Sequence, residues 1–319
     1  HFPPIRTFGT IGFIIAMLMV NFITIDNIQI QNTYIQLWVS AAFSIIMAIY
    51  SLTMPQCPTS SEKPKSIIDA LGLRAFTLFK QRKMAIFFIF SLLLGVSLQI
   101  TNSYGSSFIK GFANVAEYAD SWGAQNATAL ISLSQISETL CILLIPFCLR
   151  RLGIKGVMLM AMFAWVLRFG FFGLGNPGIP GVTLFILSMI VYGIAFDFFN
   201  ISGSLYVDRQ TDPSIRSSAQ GLFMLMTNGI GATIGTVCAG ELVINRFVNT
   251  QPAGIAQIQG WQTSWFIFAA YALIVAVLFW LLFRDNEKNP SLNTAKAESL
   301  EGTSPEGMMT GDPFNAGKQ

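Results

Sequence analysis

Charge is scarce in this sequence. Its 319 residues include 19 basic and 16 acidic side chains, 11% of the chain, where a soluble domain would carry about 25%, so an ordinary water-solvated fold is excluded. Histidine is nearly absent: His1 stands alone. No His-based triad or HExxH zinc site can be built, and GxSxG and GxxxxGK[ST] are missing too. Neither a hydrolase nor an ATP-driven pump has its parts here, the chain is not read as an enzyme, and no cofactor or metal is expected. The four cysteines are Cys57, between Pro55 and Pro58, and Cys141, Cys148 and Cys238 in or at apolar segments. They form no CxxC and no disulfide-like spacing, which argues against structural bridges or zinc. A net charge of +3 gives no basic surface for nucleic acid, so that partner class is excluded. What abounds is apolar: 53% hydrophobic residues, 28 Phe and a mean hydropathy of +0.57. Such a composition excludes a disordered chain and points to lipid as the solvent.

Apolar stretches recur at 8–25, 33–54, 84–105, 126–147, 156–174, 181–205, 218–243 and 262–283. Each is near the 20 or so residues that cross a hydrocarbon core of about 30 Å. In lipid each must be a helix, because open strand edges would leave backbone groups unpaired, and barrel strands would be shorter and alternate in polarity. The sequence therefore reads as an all-α polytopic membrane protein with eight spans, its constant partner the lipid bilayer. The first apolar run follows two prolines and Arg6 and is too long and wrongly flanked for a signal peptide. With His1 in place of Met, the N-terminus is read as a cut inside a longer protein.

An even number of spans puts both ends on one side. On that side fall Lys63, Lys65, Arg74, Lys80, Arg82 and Lys83, then Arg150, Arg151 and Lys155, Arg209 and Arg216, and Arg284, Lys288, Lys296 and Lys318. The opposite side has only Lys110 and Arg246, so the first side is predicted to be cytoplasmic. The connection 55–83 opens with Pro55, Pro58 and Pro64, carries an amphipathic piece with Ile67, Ile68, Leu71 and Phe79, and separates two spans from six. A six-helix unit behind a long basic loop is how the second half of a two-times-six transporter would look. The expected division is 1–54 as the last two helices of a first half, 55–83 as the loop between halves, 84–284 as the second half and 285–319 as a disordered cytoplasmic tail.

Polar side chains at membrane depth cost free energy, about 2.5–3.5 kcal/mol for a central Asp, Lys or Arg. Gln99 and Asn102 stand three apart on the third span, Gln135 and Glu138 repeat that spacing on the fourth, and Tyr192, Phe196 and Asp197 share a face of the sixth. Together they suit the lining of a polar cavity; the bland alternative for the amides is interhelical hydrogen bonding worth about 0.6–2 kcal/mol. The two carboxylates ask for more, since a buried carboxylate either pairs with a cation or takes up a proton, and both behaviours serve a proton-coupled carrier. Arg168, in the fifth span, is read as a long side chain snorkelling to the outer interface. Gly229, Gly231, Gly235 and Gly240 on the seventh include one GxxxG, a mark of close helix packing.

At this point the sequence resembles a known family. FPPIRTFGTIGF (2–13), LQITNSYG (98–105), SQISETL (134–140), GIKGVMLMAMFAWVLRFG (153–170), VYGIAFDFFNISGSLYVD (191–208) and DPSIRSSAQGLFMLMTNGIGA (212–232) are similar to the bacterial nucleoside:proton symporters of the major facilitator superfamily. The likeness runs from residue 2 to about 284. It implies twelve helices in two six-helix halves, with a nucleoside bound at mid-membrane between them. Eight of the twelve would be present here, the missing first four being the partner this chain lacks. By the resemblance Arg6, Thr10 and Phe13 line the site from the fifth helix, Gln99 and Asn102 from the seventh, Gln135 and Glu138 from the eighth, and Tyr192, Phe196 and Asp197 from the tenth. The chemistry fits: Phe13, Tyr192 and Phe196 offer faces to an aromatic base, and the amides and carboxylates can hold ribose hydroxyls. A neutral nucleoside needs another driving force for accumulation, and Glu138 and Asp197 are the candidates for carrying the proton. The expected function is proton-coupled nucleoside uptake in a bacterial inner membrane. The competing readings are another facilitator, such as a sugar carrier, or a non-transporting membrane scaffold.

Overall fold

A computed structural model describes residues 2–25, 28–55 and 72–283, with side chains in the first helix described from Phe8 onward. The chain begins with α1 (Phe2–Phe22), which accepts Pro3 and Pro4 because the first-turn N–H groups have no intrahelical partner anyway. A two-stranded antiparallel hairpin follows, pairing Thr24 with Gln29 and Ile25 with Ile28. Hydropathy gave no hint of it. After a 3-10 turn, Ile30–Asn32, comes α2 (Ile35–Ser51), none of whose residues is buried.

Of the connecting loop, residues 72–83 are described: a 3-10 helix, Leu73–Lys80, buries Ala75 and Leu78. Ile67, Ile68, Leu71 and Cys57, like the tail 285–319, lie outside the described residues. The third helix, α3, is Arg82–Gly111. A continuous helical segment then runs over Ala127–Leu174, 48 residues, or about 72 Å at 1.5 Å per residue, more than twice the bilayer core. It is two passes. Gly153 breaks it with φ 67°, a left-handed value that glycine adopts without a Cβ penalty, giving α4 (127–152) and α5 (154–174). Both halves meet the next helix, α6 (Gly181–Gln210), at one level: Ser134 Oγ donates to Met189 Sδ at 3.0 Å from α4, and Arg168 Nη1 to the Ser188 carbonyl at 2.7 Å from α5. The two halves therefore run antiparallel. Then come α7 (Arg216–Phe247) and α8 (Ile255–Leu282).

Among the described residues each of the eight expected spans thus falls on a helix, although α1 stops at Phe22, short of the expected 25, and α2 has only 17 residues. Several overshoot the apolar runs, α3 and α6 reaching 30 residues, or about 45 Å, which is the bilayer with its headgroup layers.

With lipid as apolar as the side chains, packing rests on close contact. The GxxxG of α7 does this: a Cβ on Gly231 would sit 2.5 Å from the Leu92 carbonyl, and one on Gly235 would sit 2.9 Å from Val96 Cα, both on α3. Gly95 meets the Thr227 carbonyl in return, where α7 widens into a π-helical turn over Leu225–Gly231. On α6, Gly193 faces the Ser137 carbonyl of α4, and Ser137 Oγ donates to the Ile190 carbonyl. The core between α3, α5, α6 and α8 is aromatic, with Phe108 and Phe172 in contact with one another and each with Phe185 and Trp265.

Candidate functional site

Helices α1, α3, α4, α5 and α6 wall a cavity of about 700 Å³, within the 300–1,000 Å³ typical of small-molecule sites. Helical spacing selects the lining. Thr10, Phe13 and Met17 face it from α1, Asn102 with Gly105 and Ser106 from α3, and Thr128, Ile131, Gln135 and Glu138 from α4, steps of three and four that keep one face. Arg168 and Phe172 close it from α5, Tyr192 and Phe196 from α6.

Seven of the ten residues put forward from the sequence thus meet in one space: Thr10, Phe13, Asn102, Gln135, Glu138, Tyr192 and Phe196. Gln99 is not among the lining. One turn deeper than Ser103, it gives its Nε2 to that hydroxyl at 3.1 Å. Asp197 stands behind the wall, 0% exposed, on the α6 face turned to α4. Arg6 lies on α1 a turn before Thr10; its side chain is outside the described residues.

Arg168 corrects the snorkelling expectation. It is 2% exposed and turns into the protein. Beyond its bond to the Ser188 carbonyl, its Cζ lies 4.4 Å from the Tyr192 ring centroid and 5.1 Å from that of Phe172, while Ser188 Oγ donates to the Arg168 carbonyl at 3.1 Å. A carbonyl and two ring faces at that depth replace the water that snorkelling would reach. The signal was present in the sequence, because Ala161, Trp165, Arg168 and Phe172 repeat at i, i+4, i+7 and i+11, one buried helical face.

The aromatic rings differ in what they offer. Phe13 is 54% exposed and Phe196 half-buried, whereas Tyr192 is buried, with the edge of Trp165 at 6.0 Å and Phe196 parallel to it at 5.7 Å. Past Phe196 lies a second cavity, also about 700 Å³, lined by Asn200 and Ser204 of α6, Gln220 and Asn228 of α7 and Ile142 of α4. Gln220 is tied to α6 by the hydrogen bond its Nε2 donates to the Ser204 carbonyl at 2.8 Å.

Just beyond the Met17 and Thr128 end of the first cavity, a set of amides ties neighbouring helices together. Asn21, 0% exposed at the end of α1, donates to Asn126 Oδ1 at 3.0 Å and accepts from the Ala129 N–H at 3.2 Å. Thr128 Oγ1 donates to Gln31 Oε1, and Lys110 Nζ donates to Asn32 Oδ1 at 3.1 Å. These bonds join the α1–α2 connection to the adjoining ends of α3 and α4.

Residues 1–288 match the family model described as Nucleoside H+ symporter. The chain is 48% identical over 286 residues to the xanthosine permease of Escherichia coli K12, covering 89% of this chain and 66% of that one. To the nucleoside permease NupG of the same organism it is 47% identical over 284 residues, covering 89% and 65%. The chain therefore spans about two thirds of the length of these relatives. Among solved structures, that of the nucleoside transporter NupG superposes with a TM-score of 0.75 at 47% identity, covering 89% of this chain and 68% of that one. A mutant form gives 0.78 at 46% with the same coverage.

Proposed function

The chain belongs to the nucleoside H+ symporter family, a multi-pass membrane protein with the major facilitator fold, and on that premise we propose that it carries a nucleoside together with a proton across the bacterial inner membrane by alternating access. One observation carries the reading: a single cavity gathers neutral hydrogen-bonding groups, accessible ring faces and a carboxylate. Thr10, Asn102 and Gln135 suit ribose hydroxyls and base edges, Phe13 and Phe196 suit the base, and Glu138 with Asp197 behind it suits the proton. Gln99, bonded to Ser103, and Arg6, a turn before Thr10 on α1, complete the set that the resemblance puts forward. Residues 1–54 then belong to one half of the transporter and 84–284 to the other, with 55–83 between them.

Reconstituted protein should take up labelled uridine, with excess purine or pyrimidine nucleoside competing and hexoses not. Competition by a hexose alone would replace the reading with a sugar carrier, and no uptake of either solute by folded whole protein would favour a scaffold.

The basic ends of α3 and α4 and the start of α5 lie on one side of the bundle, where Lys155 Nζ also donates to the Trp280 carbonyl near the end of α8; we read that side as cytoplasmic. In intact cells Glu117→Cys should react with an impermeant maleimide, and Gln81→Cys only after permeabilisation. Equal labelling of both from outside would reverse or break this topology.

A further inference from the structure

Among the described residues, Phe196 alone borders both cavities of about 700 Å³. Its ring stands between the one and the other. What sets the ring's position is a column of contacts behind it. Tyr192, one turn earlier on α6, lies 5° from parallel with a centroid separation of 5.7 Å. The Arg168 guanidinium stands 4.4 Å from the Tyr192 centroid, and Trp165 meets Tyr192 edge-on, at 88°. Arg168 is pinned in turn by the reciprocal pair with Ser188, 2.7 Å from its Nη1 and 3.1 Å to its own carbonyl.

A cation on a ring face is held more strongly away from water, and Arg168 is 2% exposed. A planar guanidinium can stack and donate at once, which an ammonium cannot do as well. Tyr192 is thereby kept against the wall and is not a free stacking face.

We propose that Arg168 is a positioning residue: it clamps Tyr192, which backs Phe196, so that Phe196 is presented as a rigid ring to the nucleoside base and as the partition between the two cavities. This deepens the functional reading above and rests on it. Stacking of a base on an aromatic ring is worth about one to two orders of magnitude in affinity, so displacing the ring should register in substrate affinity.

The test uses the whole protein in proteoliposomes, with uridine as probe, comparing wild type, Arg168→Met, Arg168→Lys, Tyr192→Leu and the double variant Arg168→Met/Tyr192→Leu. Arg168→Met should raise KM about tenfold with Vmax nearly unchanged. Arg168→Lys, which keeps the charge on the ring but loses the planar fork, should raise it about threefold. In the Tyr192→Leu background the Met substitution should have no further effect, because the ring it acts through is gone. A residue that only filled the core would lower the amount of folded protein without this split and without the coupling. Unchanged KM in Arg168→Met overturns the proposal, as do fully additive effects in the double variant. If Arg168→Met does not reach the membrane, unchanged KM in Arg168→Lys does the same. Failure of wild type to transport any nucleoside would instead sink the functional reading itself.

Discussion

Asp197→Asn should abolish uphill nucleoside accumulation while leaving nucleoside binding largely intact, and Glu138→Gln should impair both. The difference comes from placement. Glu138 lines the cavity and is within reach of a bound ribose or base, whereas Asp197 lies behind the wall at 0% exposure. Both substitutions keep shape and most hydrogen-bonding capacity, so they test charge more than packing. One proton crossing 100 mV is worth about 2.3 kcal/mol, a concentration ratio of about 50 at roughly 1.4 kcal/mol per decade. That ratio should fall to about one in a variant that no longer binds the driven proton. Exchange of preloaded nucleoside should survive in Asp197→Asn, since exchange does not require the empty carrier to return. The measurement is accumulation in proteoliposomes under an imposed inward proton gradient, with and without an uncoupler. If wild-type accumulation survives the uncoupler, or if both variants still concentrate nucleoside, these carboxylates are structural and the coupling mechanism is wrong.

The helices were legible because lipid leaves a spanning chain few options: a 20-residue apolar run must satisfy its own backbone, and only a helix does so within one segment. Hydropathy could not give their ends, since α3 and α6 continue past the apolar run through the headgroup layer. Nor could it show the hairpin Thr24–Ile25 with Ile28–Gln29, whose two-residue strands are too short for any alternation to register. In the site, spacing of three and four brought Gln135 with Glu138 and Tyr192 with Phe196 onto shared faces, and the structure places all four on one cavity. Spacing says which residues share a face but not how deep the cavity reaches along it. Asn102 therefore lines the space while Gln99, on the same face a turn below, bonds to Ser103. Arg168 was misread for a related reason. Judged by its charge alone it belonged at the interface; judged by its register with Trp165 and Phe172 it belonged inside, and register won because Tyr192 and the Ser188 carbonyl give the cation partners there.

Linking Asn21→Cys to Asn126→Cys with a short bis-methanethiosulfonate, which joins each thiol through a reducible disulfide and releases sulfinate, should stop transport completely and reversibly. Under alternating access the two ends of a carrier cannot be open together, and here the hydrogen bonds of Asn21, Asn126, Gln31 and Thr128 tie α1 and its following hairpin to α4 just beyond the Met17 and Thr128 end of the cavity. Opening that end requires α1 and its following hairpin to part from the start of α4. Asn21 is 0% exposed and serves both as donor to Asn126 and as acceptor from the Ala129 N–H. Each bond in such a setting is worth about 0.6–2 kcal/mol, so together they bias the closed state by roughly one decade or more without locking it. A covalent link removes the open state altogether. Asn21→Ala should do the reverse, leaving the Ala129 N–H unpaired in the closed form and raising the reactivity of a cysteine placed in the first cavity, such as Ser106→Cys, toward an impermeant reagent. Uptake should fall to the level of empty vesicles after cross-linking and recover on reduction, while the same treatment should leave the uptake of either single cysteine variant where it was before treatment. Uptake at the wild-type rate by fully cross-linked protein would show that α1 and α4 travel together, and the moving seam would have to lie elsewhere in the bundle.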